Sequence, residues 1–137
     1  MTLTFVDAGV LIAAARGSSE QAERAMAILD DPGREFAASP FLRLEVLPQA
    51  AFNKRPAEVA FYEAFFAAVS RWATDLPQIV EGALREASSF GVEAMDARHV
   101  AAANSVGASE LVTTERSTRS IHRAQSVRVT TIYHDSR

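Results

Sequence analysis

The stretch Leu3-Thr4-Phe5-Val6-Asp7 decides how this chain is read. Apolar and β-branched residues without glycine or proline form the pattern of a buried strand, and the run ends in a carboxylate. A small-residue helix pattern, Ala8-Gly9-Val10-Leu11-Ile12-Ala13-Ala14, follows at once. Asp7 therefore falls where a strand gives way to a helix, the edge at which open α/β sheets bind ligands. An aspartate there caps the helix or holds a metal. The choice depends on which other carboxylates the chain returns to it.

Beyond this unit, Gly17-Ser18-Ser19-Glu20 is a break with a cap, and Ala22, Ala25, Met26 and Leu29 follow at helical spacing until Asp30-Asp31-Pro32-Gly33 stops them. Glu35-Phe36-Ala37-Ala38 reads as a second strand. Ser39-Pro40 places an N-cap before proline at the first helical position, ahead of Phe41–Leu47. Pro48 is expected to kink or restart that helix, because its ring clashes with the carbonyl of Leu44. A helix over 57–72 carries Tyr62, Phe65, Phe66, Val69 and Trp72 on one stripe. That stripe is core or, in part, an interface through which two copies form a homodimer.

Asp75-Leu76-Pro77 is expected to hold a very short strand, followed by a helix with Ile79, Val80, Ala83, Leu84, Ala87 and Phe90 facing inward and Gly91 closing it. Asp96 stands before a helix from Ala97 to about Val106. Glu110–Thr114 is a strand ending in Glu115, Arg116 to Arg123 a basic loop, and Val127–Ile132 a last strand. Strands alternating with helices predict an α/β sandwich with a mainly parallel sheet.

The 137 residues suit one domain spanning 1–137, and 48% hydrophobic with 23% charged residues is a globular balance. The absence of cysteine excludes a disulfide scaffold and thiolate metal sites and fits the cytoplasm. No run approaches the ~20 apolar residues of a membrane span, so no membrane association is expected. The apolar run at Ala8–Ala15 lacks a basic flank and follows Asp7, which argues against a signal peptide. A net charge of −3 counts against a nucleic-acid binder. That objection weakens where acids gather around a cation.

Four acids stand at unusual places. Asp7 and Glu115 follow strands, Asp96 stands at a helix N-terminus, and Glu45 lies in a helix beside Phe41, Leu42 and Phe52. Residues following parallel strands gather at one edge, so Asp7, Asp96 and Glu115 converge and Glu45 reaches in from beside them. Taken singly, Asp7 and Asp96 are also good N-caps. Carboxylates brought together without a cation repel, and hard oxygens with no cysteine favour Mg²⁺ or Mn²⁺. Phosphoryl-transfer chemistry on an aspartyl nucleophile fits less well. The only lysine, Lys54, lies in the wrong region, and Gly9 stands where such sites want a second aspartate.

In order, Phe5-Val6-Asp7, Leu44-Glu45-Val46, Met95-Asp96-Ala97-Arg98-His99-Val100-Ala101-Ala102-Ala103 and Leu111-Val112-Thr113-Thr114-Glu115 resemble the PIN domain, most closely the VapC-type toxins of type II toxin–antitoxin pairs. The resemblance spans essentially the whole chain and rests on the ordered set rather than on one motif. It implies a three-layer α/β/α sandwich with a five-stranded parallel sheet. It also implies Mg²⁺- or Mn²⁺-dependent endonucleolytic cleavage of RNA, and a cognate antitoxin. Asp7, Glu45 and Asp96 match the family's three main acids. The fourth position departs: the family usually has aspartate there, often with phenylalanine two residues on, where this chain has Glu115, Arg116 and Ser117. The departure opens an alternative, a catalytically weakened PIN-fold module that binds RNA or a partner. Arg116, Arg119, His122 and Arg123 are the expected phosphate contacts; otherwise they form a solvated basic loop. His99 is expected to pack or hydrogen-bond rather than bind metal.

Overall fold

The computed structural model describes residues 1–134. Five strands, β1 (Thr2–Val6), β2 (Arg34–Ala38), β3 (Arg71–Trp72), β4 (Glu110–Thr113) and β5 (Arg128–Thr131), form one sheet in the order β3-β2-β1-β4-β5. Every pairing is parallel, with β1 central: Phe5 lies opposite Ala37 on one side and opposite Leu111 on the other. Six α-helices connect them: α1 (Ala8–Ala15), α2 (Glu20–Leu29), α3 (Pro40–Phe52), α4 (Pro56–Ala68), α5 (Leu76–Phe90) and α6 (Ala94–Ser105). Among the described residues no helix is long and apolar enough to cross a membrane.

Alternation along β1 divides the core in two. Leu3 and Phe5 pack with Ala37, Leu111, Ile79 of α5 and Val100–Ala103 of α6. Val6 packs on the other face with Val112, Val10 and Leu11 of α1, Leu42 and Val46 of α3, and Tyr62 and Phe66 of α4. Helices thus cover both faces, giving the three-layer α/β/α sandwich that the resemblance implies. The fully buried side chains, Phe5, Leu11, Leu42, Ile79 and Leu111 among them, contribute roughly 1.5–3 kcal/mol each by leaving water.

Several expectations change. The helix over 57–72 ends at Ala68, and Val69 turns extended. The N–H of Ser70 donates to the Phe36 carbonyl (3.0 Å) and that of Ala73 to Ala38 (2.8 Å). The open edge of β2 therefore draws Arg71 and Trp72 into a strand, which aromatic residues favour. No strand forms at Asp75–Pro77; Asp75 caps α5 through Gln78 N–H (3.2 Å). Helix α3 runs unbroken through Pro48. The residue that loses its hydrogen bond, Leu44, is 64% exposed, so water can satisfy its carbonyl. Tyr62 and Phe66 are buried and Phe61 and Phe65 pack against them, so the aromatic stripe serves the core. On α5, Ile79 is buried but Val80, Leu84 and Phe90 face outward. Gly91 closes α5 in the left-handed conformation (φ 69°), as its position predicts.

Candidate active site

Strands β1 and β4 end side by side, and the N–H of Asp7 donates to the Val112 carbonyl (3.0 Å). Asp7 does two things at once. Its Oδ1 accepts the N–H of Val10 (3.2 Å), capping α1. Its Oδ2 accepts the hydroxyl of Thr113 at 2.5 Å. That same hydroxyl oxygen accepts the N–H of Glu115 (3.1 Å), so Thr113 ties the two acid-bearing strand ends together. Gly9 permits this approach: a Cβ there would stand 2.2 Å from Thr114 Oγ1. Burial pushes the Asp7 carboxyl above its usual range; the bonds from Thr113 and Val10 and the charge of His99 pull against it, and Glu115 adds to the rise.

Asp96 is not a cap. Helix α6 starts at Ala94 with Glu93 at its N-cap, which puts Asp96 at the third helical position. The early start follows from Val92, which is buried and anchors the chain ahead of the first turn. Burial, then the charges of Glu93, Asp7 and Glu115, push Asp96 up to about 6, with His99 opposing. The charges of Asp7 and Glu115 thus reach the Asp96 carboxyl.

Glu45 is in a different state. From α3 it accepts Nε2–H of His99 at 2.6 Å and Nη2–H of Arg98 at 3.1 Å. Burial alone would raise its pKa, but the His99 bond and the charges of His99 and Arg98 hold it below the usual carboxylate range. Arg98 also lies over the Phe41 ring, 4.9 Å from its centre. His99 is 2% exposed, and its Nδ1 has no hydrogen-bond partner among the described residues. Phe52, expected on the Glu45 face, is 85% exposed instead, because it lies at the end of α3 beyond the packed turns.

Glu115 is half exposed and faces Arg119 at 3.6 Å. Each expected phosphate contact has an internal partner. Arg116 lies over the Tyr133 ring at 5.0 Å, His122 donates to the Glu115 carbonyl (3.0 Å), and Arg123 donates to the Gly91 carbonyl (3.4 Å). A short 3-10 turn, Ser120–Arg123, buries Ile121 and anchors the loop.

The other buried carboxylates among the described residues have their own hydrogen-bond partners. Glu58 accepts from Arg16, Arg55 and Tyr62, Glu110 from Thr4 and Arg34, and Glu86 from the N–H groups of Gln125 and Ser126. Asp7 and Asp96 are in no ion pair among the described residues; the charge of His99 lowers both, and the charge of Asp7 raises Asp96. Among those residues no three acidic, imidazole or thiol groups already stand as a metal cage. A Mg²⁺-type ion needs no such cage. It keeps several waters and uses one or two carboxylates, and the hard oxygens of Asp7, Asp96 and Glu115 fit it. The sequence alone assigns no role to Thr113 or Arg98 within those motifs. Thr113 was findable as a hydroxyl two residues before Glu115 at a strand end; nothing local marks Arg98 as the partner of Glu45.

No protein-family model and no curated protein sequence matches the chain. Solved structures do. A chain of the Rickettsia felis VapBC2 complex bound to a DNA fragment from its promoter superposes with a TM-score of 0.71 at 12% identity, covering 95% of this chain and 98% of that one. A chain of DNA-bound VapBC from Salmonella typhimurium gives 0.70 at 18% identity, covering 96% and 99%. A chain of a Klebsiella pneumoniae toxin–antitoxin complex gives 0.72 at 20% identity, also covering 96% and 99%. The shared property is the fold, over nearly the full length of each chain.

Proposed function

We propose that this chain is a divalent-cation-dependent endoribonuclease of the PIN type and the toxin of a toxin–antitoxin pair, acting in the cytoplasm. The observation that carries the reading is that Thr113 joins Asp7 and Glu115 at the adjacent ends of β1 and β4, that the charges of both reach Asp96, and that neither Asp7 nor Asp96 is in an ion pair among the described residues. Asp7, Asp96 and Glu115 would hold Mg²⁺ or Mn²⁺. When bound, the ion supplies Lewis-acid polarisation of the phosphodiester and a more acidic water. Thr113 fixes the Asp7 carboxylate. Glu45, already compensated by Arg98 and His99, would orient solvent rather than take the ion directly. Arg116 and Arg119 lie exposed beside the edge and would meet phosphates of the incoming strand.

The likeness to toxin–antitoxin complexes supports an antitoxin partner. A homodimer would use the exposed apolar strip of Val80, Leu84 and Met95 on α5 and α6, since on the aromatic helix Tyr62 and Phe66 are buried and Phe61 and Phe65 are half-buried against the core. Glu115 in an ion pair with Arg119 favours a second reading, a binding module that keeps the fold without cleavage. Incubation of RNA with homogeneous protein tests both. Cleavage with Mn²⁺ or Mg²⁺ that stops in EDTA and in Asp96→Asn is expected. Cleavage persisting in EDTA would overturn the divalent-cation-dependent reading, and no cleavage with retained RNA binding would establish the second.

A further inference from the structure

On the other side of the basic loop, beyond Arg116, lies a cleft of about 480 Å³ lined by Arg116, Ser117, Thr118, Thr131, Tyr133 and His134. Its chemistry is distinctive in an acidic chain: a guanidinium, an imidazole, three hydroxyls and a phenol ring, with no carboxylate among the described lining residues. The two flat groups already lie together, with the Arg116 guanidinium over the Tyr133 ring, 5.0 Å from its centre. The position of Tyr133 is set by Thr131, whose Oγ1 accepts the Tyr133 N–H (2.9 Å) and donates to the Thr113 carbonyl (3.2 Å). The stacking plane is thereby tied to the residue that joins Asp7 and Glu115.

We propose that this cleft is a nucleotide subsite. It takes one unpaired nucleotide next to the phosphate being cut, with the base on the Tyr133–Arg116 plane and a phosphate against Arg116 and His134. Bases of single strands stack on aromatic rings and on guanidinium planes, and a cationic, hydroxyl-lined wall suits the sugar-phosphate. The inference rests on the RNA-cleaving reading and adds a requirement that this flanking nucleotide be unpaired. Tyr62, the only other tyrosine, is buried, so signals from an accessible tyrosine belong to Tyr133.

The test measures binding in EDTA, where cleavage is silent, by fluorescence anisotropy. The probes are a labelled oligouridylate and an abasic oligomer of equal length. Tyr133→Leu should weaken the oligouridylate about tenfold, the loss of one stacked base, and leave the abasic oligomer unchanged. Tyr133→Phe should match the parent. Arg116→Gln should weaken both and lower the salt slope by about one. In the unaltered chain, uridine monophosphate should shift the Tyr133 ring resonances. A Tyr133→Leu protein that binds both oligomers like the parent, or Tyr133 resonances unmoved by the nucleotide, would overturn the subsite. Metal-dependent cleavage that survives such a result leaves the nuclease reading standing. Base-selective binding without cleavage removes that reading alone.

Discussion

His99 Nε2 and Glu45 Oε1 stand 2.6 Å apart across the α3–α6 boundary, with the imidazole buried beneath the carboxylate. A bond of this kind to a charged group contributes on the order of 1.5–3 kcal/mol. A double-mutant cycle with Glu45→Gln and His99→Leu should return a coupling above ~1 kcal/mol in urea unfolding at neutral pH. Because the folded protein holds Glu45 below its usual range, its contribution is present above the unfolded value of 4.5 and is lost as pH falls through the folded one. The coupling should therefore fade in acid. A coupling near zero at neutral pH would show that the pair merely sits together.

Asp96 titrates in the opposite sense. Its pKa is raised from 3.8 to about 6, so in metal-free protein this group's contribution is most favourable below pH ~4 and is lost as pH rises through 6. Asp96→Asn should remove that loss and stabilise the metal-free protein at pH 7 by roughly 1–2 kcal/mol after solvent screening. In Mn²⁺ the order should reverse, because the parent gains more from the ion. Melting curves of both proteins, with metal and with EDTA, decide it; curves that coincide in both conditions would remove Asp96 from the site.

Thr113→Val keeps the shape of the side chain and deletes the donor to Asp7 and the acceptor for the Glu115 N–H. A cost of about 1–3 kcal/mol is expected for leaving buried groups without partners. Thr113→Ser should recover most of it. If valine and serine behave alike in denaturant titrations, the hydroxyl has no such role.

Gly9→Ala should destabilise by roughly 1–3 kcal/mol, since the new methyl meets the Thr114 side chain. Thr114→Ala in the same protein should relieve part of the loss, measured as a shift in midpoint. Equal stability of Gly9→Ala and parent would show that the α1–β4 approach is loose.

The sheet edge was legible in the sequence because its signals are local: an apolar run, a carboxylate and a helix start at Asp7, and another strand end at Glu115. The fate of Trp72 was not, because the aromatic period at Tyr62, Phe65 and Phe66 continues through it while the open edge of β2, distant in sequence, supplies the competing hydrogen bonds. The orientation of α5 failed in a similar way. Val80 and Leu84 are apolar at helical spacing, but α6 covers only the side carrying Ile79 and Ala83. Glu45 was recognised as unusual, yet its compensation by Arg98 and His99 needs α3 and α6 to meet, which no local pattern announces.

The central place of β1 has a consequence for synthesis. Thr4 and Glu110, and likewise Asp7 and Thr113, are bonded across 106 positions. A nascent chain emerging N-terminus first can pair β1 with β2 early, but the other side of β1 stays open until β4 has left the ribosome. Until then Asp7 lacks Thr113 and has no Glu115 beside it, so the acidic edge is assembled among the last parts of the molecule. A chain that stalls before β4 would be an incomplete sheet with an unfilled edge, vulnerable to proteases and lacking the Thr113 link between Asp7 and Glu115.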